Sequence, residues 1–214
     1  MSADLTLVIG DKHLSSWSLR PWLALKEAGI AFREETIRLD RPDTRAQLQA
    51  QAPAGQVPFL RDGDLTIWDS LAILEYIADR FPDKRLWPDD PRARAVARSV
   101  SAEMHSGFSK LRTLWPMQFA RDGLAHLQVG LDRDIARIDA IWTTCRKTYG
   151  AGGPFLFGAF SIADAMYAPI ASRFRTYGPV ALSAAAAAYR DHVLDGTACV
   201  AWRRGAEEEY AGTG

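Results

Sequence analysis

Val57-Pro58-Phe59-Leu60 places the tightest limit on how this chain folds, because a proline inside an apolar strand removes a ladder donor and confines that strand to an edge or a bend. The backbone of Val57 is thereby left able to pair with a ligand's main chain. One hairpin later, Asp69-Ser70 stands where the strand Leu65-Thr66-Ile67 gives way to a helix with apolar residues at Leu71, Leu74, Ile77, Ala78 and Phe81. The free N–H groups and positive end of that helix suit a carboxylate, and the Asp69 side chain suits an amine. Asp or Ser before an apolar helix also serves as a plain N-cap.

A third element lies upstream. Ser15-Ser16-Trp17-Ser18-Leu19-Arg20-Pro21 follows a short strand, Leu5-Thr6-Leu7-Val8-Ile9, and precedes another helix. Three such elements in this order resemble the glutathione-binding domain of the cytosolic glutathione transferases. Serine-type members of that family carry a Ser-rich turn ending in Arg, then Val-Pro, then Glu/Asp-Ser. The resemblance implies a thioredoxin-like α/β N-terminal domain, with an all-α helical domain after it. It further implies that glutathione is bound by Ser15, Trp17, Gln56, Val57, Pro58, Asp69 and Ser70.

The rest of the chain agrees with two parts. The first third alternates strand near 4–10, helix 18–29, strand 31–38, a short helix near 43–51, strands 57–61 and 64–67, and helix 69–81, an order that fits a small sheet covered by helices. Prolines at 82, 88 and 91 and a cluster of Asp residues then break the pattern, giving domains of 1–83 and 91–214 joined by a linker at 84–90. Asp90-Pro91 restarts the chain as an N-cap with proline at the first helical position. Helices are expected at 91–120, 126–149, 161–177, 183–194 and 198–209. Ser161-Ile162-Ala163-Asp164 is a capping box with Asp in place of Glu, and the family begins the buried central helix of its second domain with the same Ser-x-x-Asp. Pro169 should kink that helix, and Glu207, Glu208 and Glu209 near a helix C-terminus should fray the tail.

Composition excludes several function classes. The 214 residues are 48% hydrophobic and 24% charged with a formal charge of zero, which argues against disorder and against a nucleic-acid footprint. Residues 1–83 carry 9 basic and 13 acidic groups and residues 84–214 carry 17 and 13, a division that favours contact between the halves or between subunits. No stretch approaches the ~20 apolar residues that span a bilayer, and Met1-Ser2-Ala3-Asp4 leads straight into a strand, so the expectation is a cytoplasmic protein off the membrane. Cys145 and Cys199 form no C-x-x-C pair, and His13, His105, His126 and His192 show no metal-ligand spacing, so no metal is expected.

Within the resemblance, the chemistry falls to the serine turn. A thiol of pKa about 8.5 is only a few per cent thiolate at neutral pH, and a hundredfold gain takes about 2.7 kcal/mol. One hydroxyl donating to a charged sulfur supplies about 1.5–3 kcal/mol, and a helix N-terminus about 0.3–1. Pro21 is best tolerated in a first helical turn, which places the N-cap near Ser18 and leaves Ser15 and Ser16 free to face a ligand. Family members place the active residue five or four positions before the arginine, corresponding to Ser15 or Ser16, with Ser15 the first choice. Trp17 stands where the isomerase-like class has cysteine, a departure that argues against maleylacetoacetate isomerase chemistry. Cysteine near 15 and tyrosine at the end of the first strand are both missing, so the turn is serine-type on the family's pattern.

Met104, Phe108, Leu111 and Trp115 mark one apolar helix face and read as core. His105, Phe108 and Arg112 adjoin it and, with Trp17, are candidates for an electrophile pocket. The implied function is conjugation of glutathione to small apolar electrophiles by a homodimer. The alternatives are a glutathione-dependent peroxidase or isomerase of the same fold, and a non-catalytic binding protein.

Overall fold

The computed structural model describes residues 5–124 and 130–212. β1 (Leu5–Ile9) is buried along its whole length, because it lies inside a four-stranded sheet between β2 (Arg33–Thr36) on one side and β3 (Phe59–Asp62) on the other. β2 runs parallel to β1, with Leu7 opposite Glu34. β3 runs antiparallel to β1, with Val8 opposite Phe59, and β4 (Leu65–Trp68) closes the other edge antiparallel to β3. The β2 edge is fully exposed and carries Arg33, Glu34 and Glu35, charges that discourage pairing with another chain.

α1 (Ser16–Glu27) and α3 (Ser70–Arg80) pack together beside this sheet, while α2 (Thr44–Gln51) buries none of its residues. The second half is helical throughout: α4 (Pro91–Ser106), α5 (Ser109–Leu114), α6 (Asp132–Tyr149), α7 (Ile162–Thr176), α8 (Ala184–Asp195) and α9 (Thr197–Ala211). α7 is buried on almost every side, as a helix apolar all round must be, and packs against α1, α4 and α8. Among the described residues no helix is long and apolar enough to cross a membrane.

The structure amends several expectations. The single helix over 91–120 is two, because Gly107 is extended and Phe108 adopts φ +56°, outside any helix. The leading residues expected for helix 126–149, and Met1 to Asp4, lie outside the described residues. The 84–90 linker is no loose tether: Leu86 and Trp87 are buried, the Leu86 carbonyl accepts the Ile162 N–H at 2.9 Å, and the Trp87 indole donates to Glu75 at 2.9 Å. The acidic tail does not fray over the residues described, since Glu207 pairs with Arg203 at 2.7 Å and Glu209 accepts the His13 N–H at 3.3 Å. Arg98–Glu75 and Arg38–Glu209 are ion pairs between the two halves, and the first joins an acid of the acidic half to a base of the basic half as the uneven division of charge suggests.

The capping box forms, and around it sits a polar knot. The Asp164 carboxylate accepts from the Ser161 N–H at 2.8 Å, the Ser161 hydroxyl at 2.9 Å, the Leu156 N–H at 3.0 Å and the Tyr189 hydroxyl at 3.0 Å. Burial raises its pKa to about 6, while those donors pull the other way. Asp164→Ala strands all four donors, so unfolding should become easier by about 2–4 kcal/mol and Tm should fall by about 5–15 °C in a calorimetric scan.

Candidate functional site

Two cavities meet at the head of α1. The larger, about 560 Å³, brings together Ser15, Ser16, Trp17, Gln56, Val57, Pro58, Asp69 and Ser70, all of the residues expected around a bound tripeptide. The smaller, about 450 Å³, shares Leu14, Ser16 and Trp17 with it and extends to Arg112, Met117 and Arg173. Trp17, with Leu14 and Ser16, therefore lies between them. Of the other residues expected in this second space, His105 stands edge-on to Trp17 with ring centroids 5.2 Å apart. Phe108 is 9% exposed, packs into the core and does not line the cavity.

The serine turn follows directly from the end of β1. Gly10 sits where a Cβ would come within 2.8 Å of Leu39 and 3.1 Å of the Ser15 Cβ, so the chain turns here only because that atom is missing. α1 starts at Ser16 and its N-cap is Ser15, not Ser18 as expected from Pro21. The expectation failed because Pro21 lies inside the helix, where its cost of about 3 kcal/mol is outweighed by the burial of every residue from Ser18 to Leu25. The Ser15 Oγ lies 2.7 Å from the Ser18 Oγ and 3.4 Å from the Ser18 N–H, and the Ser18 Oγ accepts the Gly10 N–H at 3.1 Å. The turn is also held from the second half of the chain: the Trp202 indole donates to the Lys12 carbonyl at 2.9 Å, and the Ala120 N–H donates to His13 Nδ1 at 3.2 Å.

On the opposite wall, the Val57–Pro58 peptide is cis and leads into β3. Asp69 is the N-cap of α3 with φ +70°, a left-handed conformation that a non-glycine residue rarely adopts. Its Oδ1 accepts the Leu71 N–H at 2.9 Å and the Ala72 N–H at 3.2 Å, so two of the helix N–H groups expected to be free are taken by the cap itself. The Asp69 carboxylate remains 44% exposed and its Oδ2 lies 3.1 Å from His105 Nε2. Ser70 is 1% exposed and its hydroxyl accepts from Arg20 Nη1 at 3.3 Å.

Sequence reasoning missed two residues of this site, Arg20 and Arg173. Arg20 is 2% exposed with its guanidinium 4.1 Å from the Trp17 ring centroid, and Arg112 lies 4.7 Å from the same centroid. Arg173 is 4% exposed and donates through Nε to the Trp115 carbonyl at 2.7 Å and through Nη1 to the Pro169 carbonyl at 3.0 Å. Burial, with repulsion from Arg112 and Arg173, lowers the Arg20 pKa to about 9; burial, with repulsion from Arg112, lowers that of Arg173 to about 10. Both remain cations at neutral pH. The signal for Arg173 was an arginine inside an otherwise apolar, Ala-rich stretch.

Neither cysteine is suited to nucleophilic work. Both are buried, and burial pushes the Cys145 thiol to about 11 and the Cys199 thiol to about 12. Among the described residues no cluster of three His, Cys, Asp or Glu is placed to hold a metal ion.

Residues 14–80 match the glutathione S-transferase N-terminal domain, and residues 128–205 match the glutathione S-transferase C-terminal domain. The chain is 48% identical over 158 residues to glutathione S-transferase GstB of Escherichia coli K12, a match covering 64% of this chain and 68% of that one. It is 39% identical over 102 residues to the maleylacetoacetate isomerase of Rattus norvegicus, covering 46% of each chain. The match thus spans a little under half the length of such isomerases. A glutathione transferase homolog from Burkholderia, solved with bound glutathione, superposes with a TM-score of 0.68 at 20% identity over 96% of this chain and 98% of the other.

Ser70→Ala removes the side-chain hydrogen bond that holds the Arg20 guanidinium. A loss of about 1–3 kcal/mol is expected, read as a lower urea midpoint with an unchanged m-value.

Proposed function

Because the chain belongs to the glutathione S-transferase family, we propose that it holds glutathione in the larger cavity and joins its thiolate to a small electrophile with an apolar body. The convergence of the serine turn, the Val57-Pro58 bend and the Asp69-Ser70 cap on one 560 Å³ space carries this reading. The Val57 backbone pairs with the main chain of the tripeptide. The glutamyl amine meets the exposed Asp69 carboxylate, and the glutamyl carboxylate meets Ser70 at the positive end of α3. No metal enters this account.

The sulfur lies against the head of α1, where Ser15 is the residue that stabilises it. Ser18 gives Ser15 a reason to point correctly. The Ser18 Oγ accepts the Gly10 N–H, and in the arrangement where its proton goes to the Ser15 Oγ, one of the two that the 2.7 Å contact allows, the Ser15 proton is free for the thiolate. A charge-assisted hydrogen bond of about 1.5–3 kcal/mol plus about 0.3–1 from the helix end accounts for a hundredfold rise in the ratio of thiolate to thiol. Trp17 then forms one side of the electrophile's space, with the Arg112 guanidinium against its ring and His105 bracing the wall. Ser16, which lines both cavities, is the alternative donor. The same reading makes the protein a cytoplasmic homodimer. Peroxide reduction by the same thiolate is an allied activity.

A glutathione-dependent isomerase is the second reading, favoured by the maleylacetoacetate isomerase relatives. A non-catalytic binding protein is the third, and millimolar glutathione separates it from the others. Retention on immobilised glutathione and a rise in Tm are expected; neither occurring would reject the glutathione site. Ser15→Ala should lower kcat by about 10²-fold with glutathione affinity close to wild type. Since it also deletes an N-cap worth about 1 kcal/mol, the assay belongs well below Tm. A loss of that size in Ser16→Ala and not in Ser15→Ala would move the role by one residue.

A further inference from the structure

We propose that the smaller cavity selects electrophiles that carry a carboxylate, which Arg112 and Arg173 bind while the reacting carbon reaches the thiolate beside Ser16, where the two cavities meet. The inference rests on glutathione occupying the larger cavity.

The charge balance carries it. Most buried charges in proteins are paired, because an unpaired one is costly to strip of water. Several arginines of this chain have a carboxylate partner: Arg137 pairs with Glu103 at 2.7 Å and Arg203 with Asp122 at 2.7 Å. Arg112 and Arg173 do not, for among the described residues no carboxylate lies within ion-pair distance of either. Arg20, the third guanidinium of the group, faces the Ser70 hydroxyl instead of an acid. The nearby acid, Asp69, is engaged with His105.

The two cavity arginines are fixed in place by neutral partners. Arg112 donates through Nη1 to the carbonyls of His105 and Gly107, at 3.2 and 3.0 Å, and among the described residues its Nε and Nη2 have no acceptor. Arg173 spends Nε and Nη1 on backbone carbonyls, and among the described residues its Nη2 has no acceptor. Both residues line the same 450 Å³ space. Held guanidiniums with spare donors are a receptor for a planar anion, since arginine's fork matches the two oxygens of a carboxylate. Trp17 and Met117 supply apolar surface for the remainder of the guest.

The test compares two aryl chlorides of equal shape, 4-chloro-3-nitrobenzoate and 4-chloro-3-nitrobenzamide. In each the sulfur attacks the chlorine-bearing carbon, the C–S bond forms, and chloride leaves with the bonding pair. The thiol proton goes to solvent on ionisation. Relative to the uncatalysed rates, kcat/KM should favour the benzoate by about tenfold or more. Arg112→Gln should bring that ratio close to one, and Arg173→Gln should do the same if it folds. A benzamide handled as well as the benzoate overturns the inference and leaves the transferase reading intact.

Calorimetric titration with the two product conjugates reads the pocket without turnover. Tighter binding of S-(4-carboxy-2-nitrophenyl)glutathione than of its carboxamide supports the inference, even where neither chloride reacts and the transferase reading falls. Equal affinities, or no binding of either, overturn it.

Discussion

The burial of α1 is the constraint on which the rest of the structure depends. This helix packs against β1 and α3 of its own domain and against α7 and α9 of the other, so no face of it is spare between Ser18 and Leu25. Its head must then emerge at the junction of the two halves. That emergence places Ser15, Ser16 and Trp17 between the sheet-side cavity and the helix-side one. It also drags Arg20 into the interior, where the Trp17 ring and the Ser70 hydroxyl are its substitutes for water. Serine turn, cation cluster and double cavity are three results of one packing arrangement.

Much of this was written in local sequence. The Asp69 cap, the Ser161–Asp164 box and the alternation of the first 80 residues each depend on neighbours within a few positions, and the structure has them; Pro58 makes the bend but not the edge, since it precedes β3, an inner strand paired on both sides. What escaped was set by contacts distant along the chain. Pro21 looked like a first-turn residue because local cost alone was weighed, whereas burial against α7 lets the helix run through it. Leu86 and Trp87 looked like linker because prolines and aspartates surround them, yet they fill a gap under α7 and α3. Phe108 fitted both a core stripe and a cleft face. The break at Gly107 settled it for the core.

The arginines show the same limit from the electrostatic side. Arg112 was legible as a cleft residue because it flanks an apolar stripe, but Arg173 lies in a helix whose every neighbour reads as interior. Only the fold reveals that residues 20, 112 and 173 meet, and only their meeting reveals an interior with excess positive charge. Fold class therefore came from pattern, while the character of the second cavity came from placement. The relatives inform the first of these far more than the second.

One indole forms a partition between two chambers, and a partition has two sides. An occupant that presses on Trp17 from the sheet side alters the room available beyond it, and a guest beyond it braces the ring for the first. That shared aromatic plane is pinned by Arg20 and Arg112, whose guanidiniums lie 4.1 and 4.7 Å from its centroid. A change in that single side chain therefore redraws both chambers at once.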